Sequence, residues 1–306
     1  MEEKGIKEII DAYLEKKIVE IAEVYIENKV KEISDVIEKI FKEKKEGIKV
    51  VGHEWVYSYI QSQILPEIPK IPPFLLEKTL QRLIEKYKEE KYIQKEYIKK
   101  GYRYDTRNFG LLLSALINRN RTVKEGRKFK EIKPLEIHLD LRVREFPEKL
   151  VFLGYKNLSR LIVKGNGGCW IGQQQRGCII IEGNVENGSG RDMIGGSLVI
   201  KGDAGILTGH YMRGGHIIVK GNTGDRTGDG MTGGLLTIEG NTGYSTGDGM
   251  EGGELDIKGE VKSFAKSAFS PNNRGTITLK RTEIWRNGDW TREGRKMWER
   301  GEIPIE

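Results

Sequence analysis

The sequence predicts an α+β protein in which a helical N-terminal region precedes a right-handed parallel β-helix. The C-terminal half carries a glycine-rich repeat of 19 residues, and it holds most of the 39 glycines. In the N-terminal half, apolar residues recur at spacings of three and four, which is the period of an amphipathic helix. A chain of 306 residues is long enough for two such units, since most domains span about 100–200 residues.

The N-terminal region, residues 1–110, is predicted to be mainly helical. Residues 5–45 have the apolar spacing of one long helix or two consecutive amphipathic helices. A short strand is expected at residues 48–51 and a helix at 53–65. After a proline-rich stretch we expect a helix over 74–90, and residues 92–104 are predicted to form a β-hairpin.

This order of elements is also that of a winged helix-turn-helix, which would bind DNA through its recognition helix. The exposed face of that helix would present Lys78, Gln81, Arg82 and Lys86. The region has 22 Lys and Arg against 21 Asp and Glu, so it is barely basic. A small helical interaction or dimerisation domain explains the same pattern, and both interpretations stay open.

Residues 111–134 are predicted to be a basic connecting segment. Its positive side chains cluster at Arg119, Arg121, Lys124, Arg127, Lys128 and Lys130. Such a run can dock on nucleic acid or on an acidic partner, but a solvated linker is the simpler interpretation. We therefore infer no nucleic-acid partner from this segment.

Residues 135–280 are predicted to form the β-helix. Successive units begin at glycine followed by Asn, Asp or Glu, the first spaced by 18 residues and the others by 19: Gly165, Gly183, Gly202, Gly221, Gly240 and Gly259. The four units that begin at Gly183, Gly202, Gly221 and Gly240 have a methionine at their eleventh place, then a Gly-Gly pair and one short strand with apolar residues two apart. Stacking these strands about 4.8 Å apart would bury the Leu, Ile and Met columns in one continuous core.

The fixed glycines are typical of corners where the chain needs φ > 0 or close backbone approach. The Asn/Asp column at the second place fits a turn whose side chains bond the backbone or stack on the next coil. A dinucleotide-binding loop is not favoured, because it needs one glycine-rich turn between a strand and a long helix.

The repeat G-N-x-G-x-x-x-G-x-x-M-x-G-G resembles the glycine-rich (GXGXG) C-terminal domain of the glutamate synthase large subunit. It is also similar to the corresponding subunits of formylmethanofuran dehydrogenase and N-methylglutamate synthase. The resemblance implies a right-handed β-helix that braces its neighbours, and it brings no catalytic residues. The amidotransferase of that family needs an N-terminal cysteine where this sequence has Met1 and Glu2. Two cysteines are too few for an iron–sulfur cluster.

One column predicts a candidate site on the flank of the β-helix. The ninth place of successive units holds Arg191, His210, Asp229 and Asp248. Stacked carboxylates about 5 Å apart disfavour each other's charge. Asp229 and Asp248 are therefore candidates to share a proton or hold a cation with His210 alongside. The alternative is a solvated ladder whose repulsion is relieved by Lys, Arg or water.

No other metal, cofactor or catalytic site is predicted. The four histidines lack metal-ligand spacing, and Cys169 and Cys178 are interpreted as buried reduced thiols. Residues 281–306 are expected to form a tail or cap. Its tryptophans either fold back over the last coil or bind a partner: Trp285, Trp290 and Trp298.

These patterns predict a non-catalytic structural or assembly protein that acts through protein–protein contact or self-association. As an enzyme component it would be a non-catalytic subunit. The alternative is a winged-helix DNA-binding protein that uses the β-helix to oligomerise or sense a ligand. With only two cysteines and no long apolar stretch, a cytoplasmic protein without a membrane partner is expected. The 32% of charged residues is typical of hyperthermophile proteins.

Overall fold

The protein folds into a β-solenoid preceded by a few helices. This computed structural model describes residues 2–44, 53–89, 104–119, 122–125, 128–131, 135–142 and 150–306. The N-terminal helices are α1 (Glu2–Lys44), α2 (His53–Tyr59), α3 (Pro73–Glu89) and α4 (Tyr104–Arg119). A π-helical turn over Ile60–Ile64 and a 3-10 turn over Leu65–Glu67 continue α2. The helices predicted at 5–45, 53–65 and 74–90 are confirmed, the first as a single helix.

Helix α1 is about 65 Å long, given a rise of 1.5 Å per residue. Its C-terminal half packs against α3 and buries Val30, Ser34 and Ile37. By contrast, every residue from Val19 to Tyr25 is exposed. The stretch of α1 from Val19 to Tyr25 therefore buries no side chain against the rest of the described protein.

The winged-helix arrangement is not confirmed. The predicted strand at 48–51 lies outside the described residues, and so does the predicted hairpin at 92–104, apart from Tyr104, which begins α4. Helix α4 extends into the segment expected to be a solvated linker, and its residues from Leu111 to Ile117 are buried. A hairpin of β1 (Thr122–Glu125) and β2 (Lys128–Glu131) follows. The boundary expected at residue 110 thus falls inside a core helix.

The solenoid is built from eight strands that pair in parallel in chain order. They are β3 (Glu136–Asp140), β4 (Arg160–Lys164), β5 (Cys178–Ile181), β6 (Ser197–Ile200), β7 (His216–Val219), β8 (Leu235–Ile238), β9 (Glu254–Ile257) and β10 (Thr276–Leu279). In-register residues such as Leu198, Ile217, Leu236 and Leu255 form a buried column. The predicted strands and their inward faces are confirmed.

The methionine column and the Gly-Gly column fit together. Met193, Met212, Met231 and Met250 are buried. The terminal methyl of Met212 lies 2.6 Å from the point where a Cβ on Gly234 of the next coil would stand. Met231 has the same relation to Gly253, again at 2.6 Å. Glycine is needed at this place because the methionine of the preceding coil occupies the room for a side chain.

The Asn/Asp column bonds one coil to the next. Asn184 Oδ1 accepts a hydrogen bond from the backbone N–H of Asp203 at 2.8 Å, and Asn222 Oδ1 accepts from the N–H of Asn241 at 2.9 Å. A second, unpredicted column does the same at the fifth place. There Asp225 Oδ1 accepts from the N–H of Tyr244 at 2.8 Å. These side-chain oxygens accept hydrogen bonds from backbone N–H groups in the turns, which do not take part in strand pairing.

Both ends of the solenoid are covered. At the N-terminal end, the buried hydroxyl of Ser114 on α4 accepts from the N–H groups of Gly154 and Tyr155, at 3.0 and 3.2 Å. At the C-terminal end, β11 (Thr282–Arg286) pairs antiparallel with β10, and β12 (Asp289–Trp290) and α5 (Arg292–Glu299) follow.

The tail folds back over the last coil, which was one of the two arrangements expected for it. Phe264 N–H donates to the Pro304 carbonyl at 2.7 Å. Trp285 is buried, whereas Trp298 is exposed and stacks on Trp290 with ring centroids 5.8 Å apart. In the part of the chain that the structure describes, no helix has the length and apolar character needed to cross a membrane.

Candidate functional site

The predicted ninth-place residues lie in a polar column on one flank of the solenoid. His210 Nε2 is 3.8 Å from Asp229 Oδ2 on the next coil. Asp248 Oδ1 accepts a hydrogen bond from the hydroxyl of Ser267 at 2.7 Å. The structure therefore brings His210 and Asp229 together and bonds Asp248 to Ser267 on the next coil.

Arginine side chains surround this pair but do not enclose it. Arg226 Nη1 lies 3.9 Å from Asp229 Oδ2. Arg191 turns to Asp192, with its Nε 3.4 Å from the carboxylate, and the Tyr211 ring packs on His210 at 4.0 Å between centroids. Of the four predicted residues, Arg191 is thus engaged elsewhere.

Burial shifts the protonation of both central groups. It lowers the pKa of His210, against the opposing attraction of Asp229. It raises the pKa of Asp229, and the negative charge of Asp248 adds to that shift while His210 opposes it. His210 Nδ1 is buried and has no hydrogen-bond partner in the described chain. Both shifts favour the uncharged forms, as expected for groups withdrawn from water.

The column does not form a metal centre or a nucleophile–base pair. Among the described residues, no group of three His, Cys, Asp or Glu is placed to hold a metal ion. At 3.8 Å, His210 and Asp229 are beyond hydrogen-bond distance. The arrangement can take up or release a proton with pH, but it shows no constellation for covalent catalysis.

Sequence reasoning missed the rest of this column. Gln173 is the ninth residue of the first unit, and its Nε2 lies 3.2 Å from His53 Nε2 on α2. Tyr155 precedes it by one coil, since the backbone N–H of Lys156 bonds the Gln173 carbonyl at 2.9 Å. Counting nine places from Gly165 would have identified Gln173. No repeat signal marks Tyr155.

The residues predicted for the recognition helix lie in a groove of about 760 Å³. Lys78, Gln81 and Arg82 line one wall, and residues of α1, β3 and β4 complete it, among them Lys31 and Lys164. The side chain of Lys86 lies outside the described residues. We call this space the α1–α3 groove.

Gln81 is committed to the edge of the sheet. Its Oε1 accepts from the Asp140 N–H at 2.9 Å, and its Nε2 donates to the Asp140 carbonyl at 3.1 Å. The neighbouring Glu77 Oε2 accepts from the His138 N–H at 2.8 Å. These side chains satisfy backbone groups of β3, the terminal strand of the sheet. Gln81 therefore makes the two backbone hydrogen bonds to Asp140 that a neighbouring strand would otherwise make.

The two cysteines form no disulfide, and both are half-buried. Cys169 Sγ lies 3.3 Å from Glu186 Oε2. The thiols are thus reduced as expected, but they are half-buried and not buried.

No family model matches the chain, and no curated protein matches it. The resemblance to the glutamate synthase domain consequently rests on the repeat pattern alone, and function has to be argued from the structure.

Proposed function

We propose that the protein is a non-catalytic assembly scaffold that self-associates through the exposed stretch of α1 from Val19 to Tyr25. In this proposal, protein partners bind to the sides of the solenoid. The observation that carries this proposal is a set of exposed apolar side chains on α1: Val19, Ile21, Val24 and Tyr25.

These side chains are largely exposed to solvent. Ile21 is 68% exposed and Tyr25 59%. In the sequence the apolar positions continue at spacings of three and four through Ile10, Leu14, Ile18, Ile21 and Tyr25. Such a seam is typical of helices that pair with other helices, since apolar surface facing water is stabilised by burial.

The closed ends of the solenoid direct association to α1. A bare terminal strand would pair with another chain and build fibres. Here Gln81 and Glu77 satisfy β3, and β11 covers β10. End-to-end stacking is thereby blocked, which leaves the exposed stretch of α1 from Val19 to Tyr25 available for association among the described residues.

The occupant that fits α1 is a second copy of α1 running antiparallel. Lys16 and Lys17 precede the acidic residues Glu20, Glu23 and Glu27. An antiparallel copy places each basic pair next to the acidic end of the other helix. The same patch then serves both subunits, as a two-fold dimer requires.

The repeat resemblance supports a bracing role, because the similar domain of glutamate synthase braces its neighbours. We propose a right-handed coil, since parallel crossover connections are right-handed in about 98% of cases. We also propose that the solenoid flank contacts partner subunits of a related complex. DNA binding through α3 is less well supported, because Gln81 is engaged with β3.

Light scattering after gel filtration at several protein concentrations tests the proposal. We expect a dimer, and a monomer for the double variant Ile21→Asp, Tyr25→Asp. Phe74→Asp is the matched control, because Phe74 is 67% exposed but lies on α3. A wild-type protein that stays monomeric at about 100 µM would contradict the proposal. So would a dimer that the double variant leaves intact.

A further inference from the structure

The sequence contains three Asn-Gly dipeptides, and the structure holds them in different ways. They begin at Asn166 and Asn187 in the solenoid and at Asn287 between β11 and β12. In such a pair the backbone nitrogen of the glycine can attack the side-chain amide carbon of the asparagine, since glycine has no Cβ to hinder the approach. Both groups have to move for this reaction. The hydrogen bonds of each pair therefore decide its reactivity.

The two pairs in the solenoid are each held by one residue of the next coil. Asn166 Oδ1 accepts from the Asn184 N–H at 2.8 Å, and the Gly167 N–H donates to the Asn184 carbonyl at 2.8 Å. The pair at Asn187 is bonded in the same way by Ile206, at 3.1 Å to Oδ1 and 2.8 Å from the glycine N–H. The attacking nitrogen and the amide that it would attack are thus both fixed.

The pair at Asn287 forms the two-residue turn of the β11–β12 hairpin. Arg286 pairs with Asp289 across the turn. Asn287 and Gly288 have φ of 48° and 88°, as the hairpin turn that favours Asn-Gly requires. Asn287 is exposed. Within the described chain, neither its side-chain amide nor the Gly288 N–H has a hydrogen-bond partner.

The bonds that oppose the reaction also differ. In this turn type the glycine nitrogen points away from the asparagine side chain, so the peptide between Asn287 and Gly288 has to rotate. The rotation breaks a contact of 3.3 Å between the Asn287 carbonyl and Nη1 of the exposed Arg274. The solenoid pairs would instead have to break hydrogen bonds between two coils.

We infer that Asn287 is a site of spontaneous deamidation in the folded protein and that the solenoid protects Asn166 and Asn187 from the same reaction. The Gly288 nitrogen forms a bond to the side-chain amide carbon of Asn287, and the bond from that carbon to the amide nitrogen breaks. Ammonia leaves with the proton that Gly288 loses, and a five-membered imide ring remains. Water, the one co-reactant, then opens the ring at either carbonyl to give aspartate or isoaspartate.

The reaction changes the hairpin that covers the last coil. Either product places a new carboxylate two residues from Asp289. Isoaspartate also carries the main chain through the former side chain, which adds one atom to a two-residue turn. Trp285 and Trp290 pair directly beyond this turn. The inference does not depend on self-association through α1.

Peptide mapping by mass spectrometry tests the inference. The full-length protein is incubated at mildly alkaline pH, below its melting temperature, in water enriched in heavy oxygen, which labels only products formed during the incubation. We expect Asn287 to convert about tenfold or more faster than Asn166 and Asn187, because the bonds that hold those pairs slow their opening. Aspartate and isoaspartate forms of the Asn287 peptide should both appear.

The matched control is the same incubation in denaturing urea, where all three pairs are exposed and should convert at similar rates. A second control is Asn287→Gln, which keeps the amide but cannot form the five-membered ring. It should take up no label at this position, and its melting temperature establishes that it is folded.

Three results would overturn the inference. One is an intact Asn287 amide in the folded protein after the unfolded chain has converted at all three sites. Another is conversion of Asn166 or Asn187 in the folded protein as fast as that of Asn287. The last is a preference for Asn287 that persists in urea, which would mean that local sequence, and not the fold, selects it.

Discussion

Adding one methyl group at Gly234 is a direct test of how the coils fit together. Gly234 has φ +87°, and a Cβ there would lie 2.6 Å from the methyl of Met212 and 2.8 Å from the carbonyl oxygen of Gly215. That oxygen accepts the backbone hydrogen bond of Leu235 at 2.9 Å. This oxygen cannot move away without breaking a hydrogen bond between two coils, so the clash in Gly234→Ala cannot be relieved by a small shift.

Two contributions set the expected magnitude. A non-glycine residue in the left-handed region costs about 1–2 kcal/mol, and overpacking a tight interior costs about 1–3 kcal/mol. We therefore expect Gly234→Ala to lower the free energy of unfolding by about 2–5 kcal/mol. The matched control is Gly195→Ala, where a Cβ meets no atom within 4 Å. That change should be neutral or stabilising by up to about 1 kcal/mol.

Urea unfolding followed by circular dichroism measures the difference between the variants at 25 °C. The midpoint of Gly234→Ala should fall clearly below that of the wild type, whereas Gly195→Ala should stay at or above it. Equal midpoints for the two variants would refute the packing argument, because both replace a glycine of the repeated Gly-Gly pairs. A lowered midpoint in both would mean that backbone freedom, and not the methionine, selects glycine there.

Three further outcomes are expected. Ser114→Ala removes the acceptor of the Gly154 N–H, while the Tyr155 N–H keeps its bond to the Phe152 carbonyl, and the change should lower stability by about 1–3 kcal/mol in the same urea assay. Asn222→Ala removes the acceptor of the Asn241 N–H and should cost about 1 kcal/mol, with exposed Asn272→Ala as the neutral control. The lowered pKa of His210 means that the unfolded chain takes up this proton first as pH falls. The resulting stability is present above about pH 6.5 and is lost as the pH falls below it. Between pH 7.5 and 5.5, the melting temperature of His210→Gln should therefore fall less than that of the wild type.

The sequence was most informative where the fold repeats itself. The same residue types recur at the same position of successive units, so the inward strands and the Met and Asn/Asp columns were predictable from spacing. The close fit of Met212 under Gly234 was not, because it joins the eleventh place of one unit to the fourteenth of the next. Only the stacked register reveals that contact.

The repeat pattern did not indicate that two bulky residues adopt a positive φ. Leu207 and Tyr211 have φ of 61° and 53°, a region that bulky residues rarely adopt. Coil-to-coil hydrogen bonds hold them there, such as that from the Leu207 N–H to the Asp225 carbonyl at 2.9 Å. Composition alone could not indicate these corners, since the ladder, and not glycine, determines the conformation.

Helix α4 and the role of Gln81 were missed for a tertiary reason. The run from Leu111 to Ile117 is apolar except for Ser114, so it lacks the periodicity that marks an amphipathic helix. Gln81 lies on the polar face of α3, which predicts exposure to water. Its bonds to Asp140 arise only because α3 lies along the terminal strand.

The side-chain acceptors that link each coil to the next carry a consequence for how such a chain can change length. Asn184, Asp203 and Asn222 each bond the residue one repeat further on, so every internal coil offers its successor the same set of groups. A duplicated or deleted block of 19 codons would leave both end structures in place and alter the rod in steps of about 4.8 Å. The length of the solenoid can therefore change by whole repeats. An insertion of any other size would move the side-chain acceptors out of register with the N–H groups of the next coil.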